Sequence, residues 1–203
     1  MQRIPLDSIA YEEADIMLAV RYLDQLAQRE GKPLVICMAL GSNTGGHTGE
    51  NALSLYLNYV CRKVGRAVAV AAGNEGNKGH HYFGIVPRDQ DYTEVELRVG
   101  AEEKGFQVNL WGNAPDLFSV EVIAPSGEKI PRFVARKLDR QRYDFVFENT
   151  ILDIQYELSE IVSGDQRLLL AFKNPTPGIW MIRVYAEGLI STHSSSILPT
   201  GMA

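Results

Sequence analysis

The chain has little cysteine, no excess of basic residues, no long apolar run and no repeat or low-complexity tract. Each shortage excludes something. Two cysteines in 203 residues cannot build a disulfide scaffold. Cys37 lies in a short apolar run and Cys61 in a helix-like run, so both are read as buried, unpaired thiols. With 20 Lys+Arg against 25 Asp+Glu the net charge is −5, and no basic face is available for nucleic acid. That charge offers nothing to an anionic membrane surface, and the apolar runs are far shorter than a bilayer span. The amino terminus lacks the pattern of a secretory leader, so a soluble protein is expected, with its compartment open. What remains is a hydrophobic content of 45% with 22% charged residues, the composition of a packed globular chain.

The two halves differ in texture. Ile16, Val20, Leu23 and Ala27 recur at helical spacing, behind an acidic first turn of Glu12, Glu13 and Asp15. Gly31 and Pro33 end that helix. The apolar run Leu34 to Leu40 predicts a strand buried on both faces, followed by a Gly-rich loop, Gly41 to Gly49. A second helix is predicted over 50–64, with Leu53, Leu57, Val60 and Val64 as its apolar stripe and Gly65 as its cap. Ala67 to Ala72 predicts a second buried strand. Strand, helix and strand in this order predict a βαβ unit with parallel neighbours.

From about Tyr92 the helical period gives way to short, partly alternating runs: 94–99, 106–111, 118–123, 145–147, 151–158, 167–172 and 180–185. Turn signals such as Pro125-Ser126-Gly127 and Asn174 to Gly178 separate them, predicting an antiparallel sandwich. The fold class expected is therefore α/β plus all-β. A partial α/β core over 1–90 precedes a β-sandwich over 91–199, joined in the polar stretch near 86–92.

Parallel sheets bind ligands beyond the carboxyl ends of their strands. Both predicted strands end there in glycine: Leu40-Gly41-Ser42-Asn43 and Gly73-Asn74-Glu75-Gly76. Such glycines let another backbone approach, and the Asn74 amide can donate hydrogen bonds. On spacing alone, two left-handed turns closing two strands are the better explanation of the pattern.

The run Ala71-Ala72-Gly73-Asn74-Glu75-Gly76, one helix behind the Leu40-Gly41 strand end, resembles the central segment of subtilases, the subtilisin-like serine proteases. The resemblance covers roughly 10–85. It implies that Asn74 is the side-chain donor of an oxyanion hole. It implies that Leu40, Gly41 and Ser42 pair with substrate backbone, and that Ala71, Ala72 and Gly73 wall the pocket for the residue before the scissile bond. The family usually has Ser where this chain has Ala39. Its Asp and His motifs would precede residue 34 and its Gly-Thr-Ser motif would follow the sandwich; none is found, so an internal segment of such an enzyme is expected, inactive by itself. His47 lies between the two cleft strands, the wrong place for the base. His80-His81 lack further ligands at fitting spacing, and Asp116 and Asp153 lack a ligand cluster for Ca²⁺, so no metal and no cofactor is expected. His193 and Ser194 to Ser196 lack any catalytic context.

A β-rich insert between the oxyanion Asn and the Ser is similar to the Csp-type subtilases of clostridia and relatives, where a jelly roll occupies that place. The resemblance rests on the loops 41–49 and 73–81, on Leu110-Trp111, Pro115-Asp116 and Ile123 to Gly127, and on Pro177 to Trp180. It implies a peptide or protein substrate and a spore-associated or cytoplasmic setting. It also implies that the parent is either a protease or a pseudoprotease. The alternative is a non-catalytic binding or scaffolding module. Trp111 and Trp180 suit a sandwich core better than a sugar platform. With two confident strands in the α/β part, exposed edges and an apolar face are expected. Their partners would be the remaining protease core or a second copy forming a homodimer.

Overall fold

The computed structural model describes residues 12–42, 45–46, 48–74, 76–86, 90–133, 140–157 and 163–187, and the backbone of 196–200. Contacts divide the chain into two compact units, residues 1–74 and 75–203.

The first unit contains helix α1 (Glu13–Glu30), strand β1 (Leu34–Met38), helix α2 (Ala52–Cys61) and strand β2 (Arg66–Val70). Gly31 closes α1 in the left-handed region at φ 63°. Its N–H and that of Lys32 return to the carbonyls of Gln28 and Ala27. The buried residues of α1 are Val20, Asp24 and Ala27. Asp24 thus takes an inward position predicted for Leu23, because Lys63 Nζ (2.5 Å) and Arg66 Nε (2.8 Å) neutralise its carboxylate. Asn51 caps α2 by accepting from the Ser54 N–H. Leu53, Leu57 and Val60 do turn inward, but α2 stops at Cys61, so Val64 is fully exposed and Gly65 lies in the turn beyond the helix.

The two strands are parallel, with Leu34 opposite Arg66 and Met38 opposite Val70. Their expected burial on both faces is not observed. Val35, Cys37, Ala67 and Ala69 share one face by register, and all four are exposed. Leu34, Ile36 and Val68, pointing the other way, are half-buried. The helices of the unit cover one face and leave the other open. Cys37 and Cys61 are free, as expected, but exposed rather than buried.

The second unit is the β-sandwich. One sheet has the order β3-β12-β5-β10-β9-β8, the other β4-β11-β6-β7. Its strands are β3 (Tyr82–Phe83), β4 (Tyr92–Val99), β5 (Gly105–Gly112), β6 (Leu117–Ile123), β7 (Lys129–Phe133) and β8 (Arg140–Phe145). They continue with β9 (Thr150–Glu157), β10 (Gln166–Lys173), β11 (Gly178–Glu187) and β12 (Ser196–Thr200). Within β4–β11 the first strand pairs with the last, and β5 pairs with β10, the nested order of a jelly roll. The strands between them fold back as hairpins β6–β7 and β8–β9–β10. Alternate residues of both sheets meet in one core: Val108, Leu110, Leu152, Leu168 and Leu170 face Val120, Val122, Trp180 and Ile182. Trp180, fully buried, stands edge-on to Phe172 and Phe145 across the two sheets. Trp111 is buried as well, at 6% exposure.

Strands β3, β7 and β12 are not among the expected runs, and β8 differs from its expected place. Of the run 145–147 only Phe145 is in a strand: β8 is the mostly polar segment that ends there, and Val146 and Phe147 sit in the following turn. β7 carries Pro131, which an edge strand tolerates because its N–H would face outward.

Candidate functional site

β1 and β2 end in register, and the Ala71 N–H extends the pairing by donating to the Met38 carbonyl at 3.0 Å. Residues 39–42 and 71–74 therefore leave the sheet side by side, beyond the carboxyl ends of neighbouring parallel strands. All seven predicted site residues lie on these two segments, and all are exposed. The expected strands run two residues too far, so Leu40, Ala71 and Ala72 belong to loops.

The glycines differ in what they need. Gly73 has φ +91°, where an L side chain would be strained. Gly41 is not in that region, and a Cβ there would meet nothing within 4 Å. The chain's own packing does not require glycine at 41. Asn74 is exposed, and its side chain makes no hydrogen bond among the described residues. Its amide N–H groups are thus free to donate.

Asn43, Thr44, His47 and Glu75 lie outside the described residues, as do His193, Ser194 and Ser195. His80 is half-buried and His81 exposed, and both have interaction partners. Among the described residues no three His, Cys, Asp or Glu side chains are grouped to hold a metal ion. Asp153 pairs with Lys173, and Asp116 is buried beside its turn. No helix among the described residues is long and apolar enough to cross a membrane.

Sequence reasoning missed the polar anchoring beneath this site. Asp24 joins α1 to Lys63 and Arg66, flanking the entry to β2, and Arg66 also donates to the carbonyls of Lys32 and Gly65. The hydrogen bonds from Lys63 and Arg66 hold the Asp24 carboxyl below its ordinary 3.8. Glu13 accepts from the Leu53 N–H at 2.9 Å and so ties the first turns of the two helices. An acid three turns into an apolar helix was the available signal.

Fold and site thus define the class: a parallel α/β unit with paired strand-end loops, followed by an antiparallel β-sandwich. That fold is similar to the solved structure of the Clostridium perfringens CspB protease, with a TM-score of 0.78 and 23% identity. The match covers 96% of this chain and 42% of that one, so the chain spans less than half the length of that structure. No protein-family model and no curated protein matches the sequence.

Proposed function

We propose that the chain carries the substrate-facing part of a subtilisin-like serine endopeptidase of the Csp type. In this reading Asn74 donates to the oxyanion of the tetrahedral intermediate. Leu40, Gly41 and Ser42 pair with the extended substrate backbone, and Ala71, Ala72 and Gly73 wall the pocket for the residue before the scissile bond. The β-sandwich is a stabilising insert, and the Asp, His and Ser of catalysis are not supplied by this chain.

The observation that carries the reading is the side-by-side exit of the two loops from adjacent parallel strands. The open space at Gly41 supports it, because a bound peptide backbone would need that room. A fixed amide aimed at the reacting oxygen stabilises charge that exists only after attack, so it lowers the barrier rather than merely tightening binding. A protein with this segment and a substituted triad would keep the cleft wall and bind peptide without cleaving it.

A titration of the chain with an extended peptide, followed by amide chemical shifts, tests this. Shifts confined to 40–42 and 71–74 are expected. Unperturbed loops, or shifts only in the sandwich, would remove the reading. Hydrolysis of a chromogenic peptide by the chain alone, abolished by a fluorophosphonate, would contradict the predicted absence of activity.

A further inference from the structure

The strands of the first unit carry no pattern that says which way they face. β1 reads Leu-Val-Ile-Cys-Met, and β2 continues beyond Arg66 as Ala-Val-Ala-Val, apolar at every position. A one-residue slip exchanges the two faces of a strand. In β2 it would turn Ala67 and Ala69 toward the helices in place of Val68 and Val70, one apolar set for another. Burial therefore selects the register weakly. Among the described residues the sheet has only these two strands, so no third strand adds to the selection.

Arg66 is the single charged residue of either strand, and its side chain is only 9% exposed. Its Nε donates to Asp24 Oδ1 at 2.8 Å, and its Nη1 donates to the carbonyl of Lys32 at 3.2 Å. Beside it the Leu34 N–H donates to the Gly65 carbonyl at 2.8 Å. One guanidinium thus joins α1, the segment leading into β1 and the first residue of β2. Asp24 is buried in α1 and needs that partner as well as Lys63. A slip of one residue would displace Arg66 by about 3.3 Å and break these bonds together. Buried ion pairs add little net stability over apolar replacements, and fixing a register is their best-attested use.

We propose that Asp24, acting through Arg66, sets the register of β2 against β1 and thereby the relative placement of Leu40 to Ser42 and Ala71 to Asn74. Asp24 and Arg66 are positioning residues: they sit at the opposite end of the strands from both loops and act on them through the strand pairing. Their importance for a peptide cleft rests on the protease reading above. The control of register does not.

The test is the full chain carrying Asp24→Leu together with Arg66→Met, studied by NMR. Apolar side chains replace the buried pair, so the unit stays packed, with helical circular dichroism as the check. The amide resonances of 35–42 and 67–74 should double or broaden. Cross-strand NOEs should no longer report the pairing of Leu34 with Arg66 through Met38 with Val70 alone. Exchange of the Ala71 N–H, which donates to the Met38 carbonyl in the native register, should quicken about tenfold or more relative to the Val20 N–H in α1. Asp24→Asn keeps the shape without the charge, should show the same signs more weakly, and replaces the double variant if that does not fold. One set of resonances with native cross-strand NOEs in the folded variant would overturn the proposal, since a merely stabilising ion pair would leave them unchanged. None of these readouts uses a peptide, so silent loops in the peptide titration would remove the protease reading alone.

Discussion

The side-chain amide of Gln166 pairs with both backbone polar groups of Phe118. Its Oε1 accepts from the Phe118 N–H at 2.9 Å, and its Nε2 donates to the Phe118 carbonyl at 3.0 Å. Gln166 lies on β10 and Phe118 on β6, so the bonds cross between the two sheets of the sandwich. Tyr156 completes the group: its hydroxyl donates to the same carbonyl and accepts from Gln166 Nε2 at 2.7 Å. All of this is buried, where an unmade hydrogen bond cannot be replaced by water.

Gln166→Leu should therefore destabilise the sandwich by about 1–3 kcal/mol, because it strands the buried Phe118 N–H and removes the hydrogen bond that the Tyr156 hydroxyl accepts. Urea unfolding followed by tryptophan fluorescence reads this directly, since Trp180 sits in the same core. A change below about 0.5 kcal/mol would show the network to be dispensable.

Alkaline pH should unfold the sandwich selectively. Burial, chiefly, raises the pKa of Tyr156 well above its ordinary 10.0, and burial together with the bond to Glu121 raises that of Tyr185. For groups whose folded pKa is raised, the stabilisation is complete below the unfolded value. It falls as pH climbs from about 10 toward the folded values. Stability should thus decline above pH 10, and Tyr156→Phe should make that decline shallower. An identical slope in the variant would contradict the assignment.

The first unit should be sensitive to acid instead. Asp24 is held below 3.8 by Lys63 and Arg66, so its contribution is whole above that value. It is lost as pH falls through the folded value. Asp24→Asn should cost about 1–3 kcal/mol at neutral pH, because Arg66 is left buried without its counter-charge, and should flatten the acid limb. Helical circular dichroism against urea at neutral and acid pH measures both effects.

Asn74→Ala should leave the stability of the chain within about 0.5 kcal/mol, since its side chain is exposed and unbonded among the described residues. If Asn74 is the oxyanion donor proposed above, the same change in a complete enzyme containing this segment should lower kcat by about 10²–10³, the magnitude known for loss of such a donor in subtilisin. A variant that loses KM but keeps kcat would assign Asn74 to ground-state binding rather than to the oxyanion.

Much of this architecture is legible from pattern. α1 follows from helical spacing and the Gly31 stop, and the βαβ order follows from two apolar runs around one amphipathic run. The sandwich follows from alternation between Gly and Pro turns. β8 was hidden because Arg140, Gln141 and Arg142 make it look like a loop; its pairing partner β9 supplies the reason it is a strand. Phe145, Val146 and Phe147 look alike in sequence, yet one is core and two are displayed, a division made by Glu128 from a different hairpin.

Local sequence determined where the helices and most strands lie, to within a few residues, because periodicity and backbone punctuation act over a few residues. It also placed glycine and Asn74 at the carboxyl ends of two strands. Tertiary structure decided which apolar surface is covered, which acid is held inside α1, and which side-chain amide bridges the two sheets. Those outcomes depend on partners such as Lys63 for Asp24 and Phe118 for Gln166, tens of residues away in the chain. Burial and hydrogen bonding are properties of the pair and are absent from either residue's local pattern.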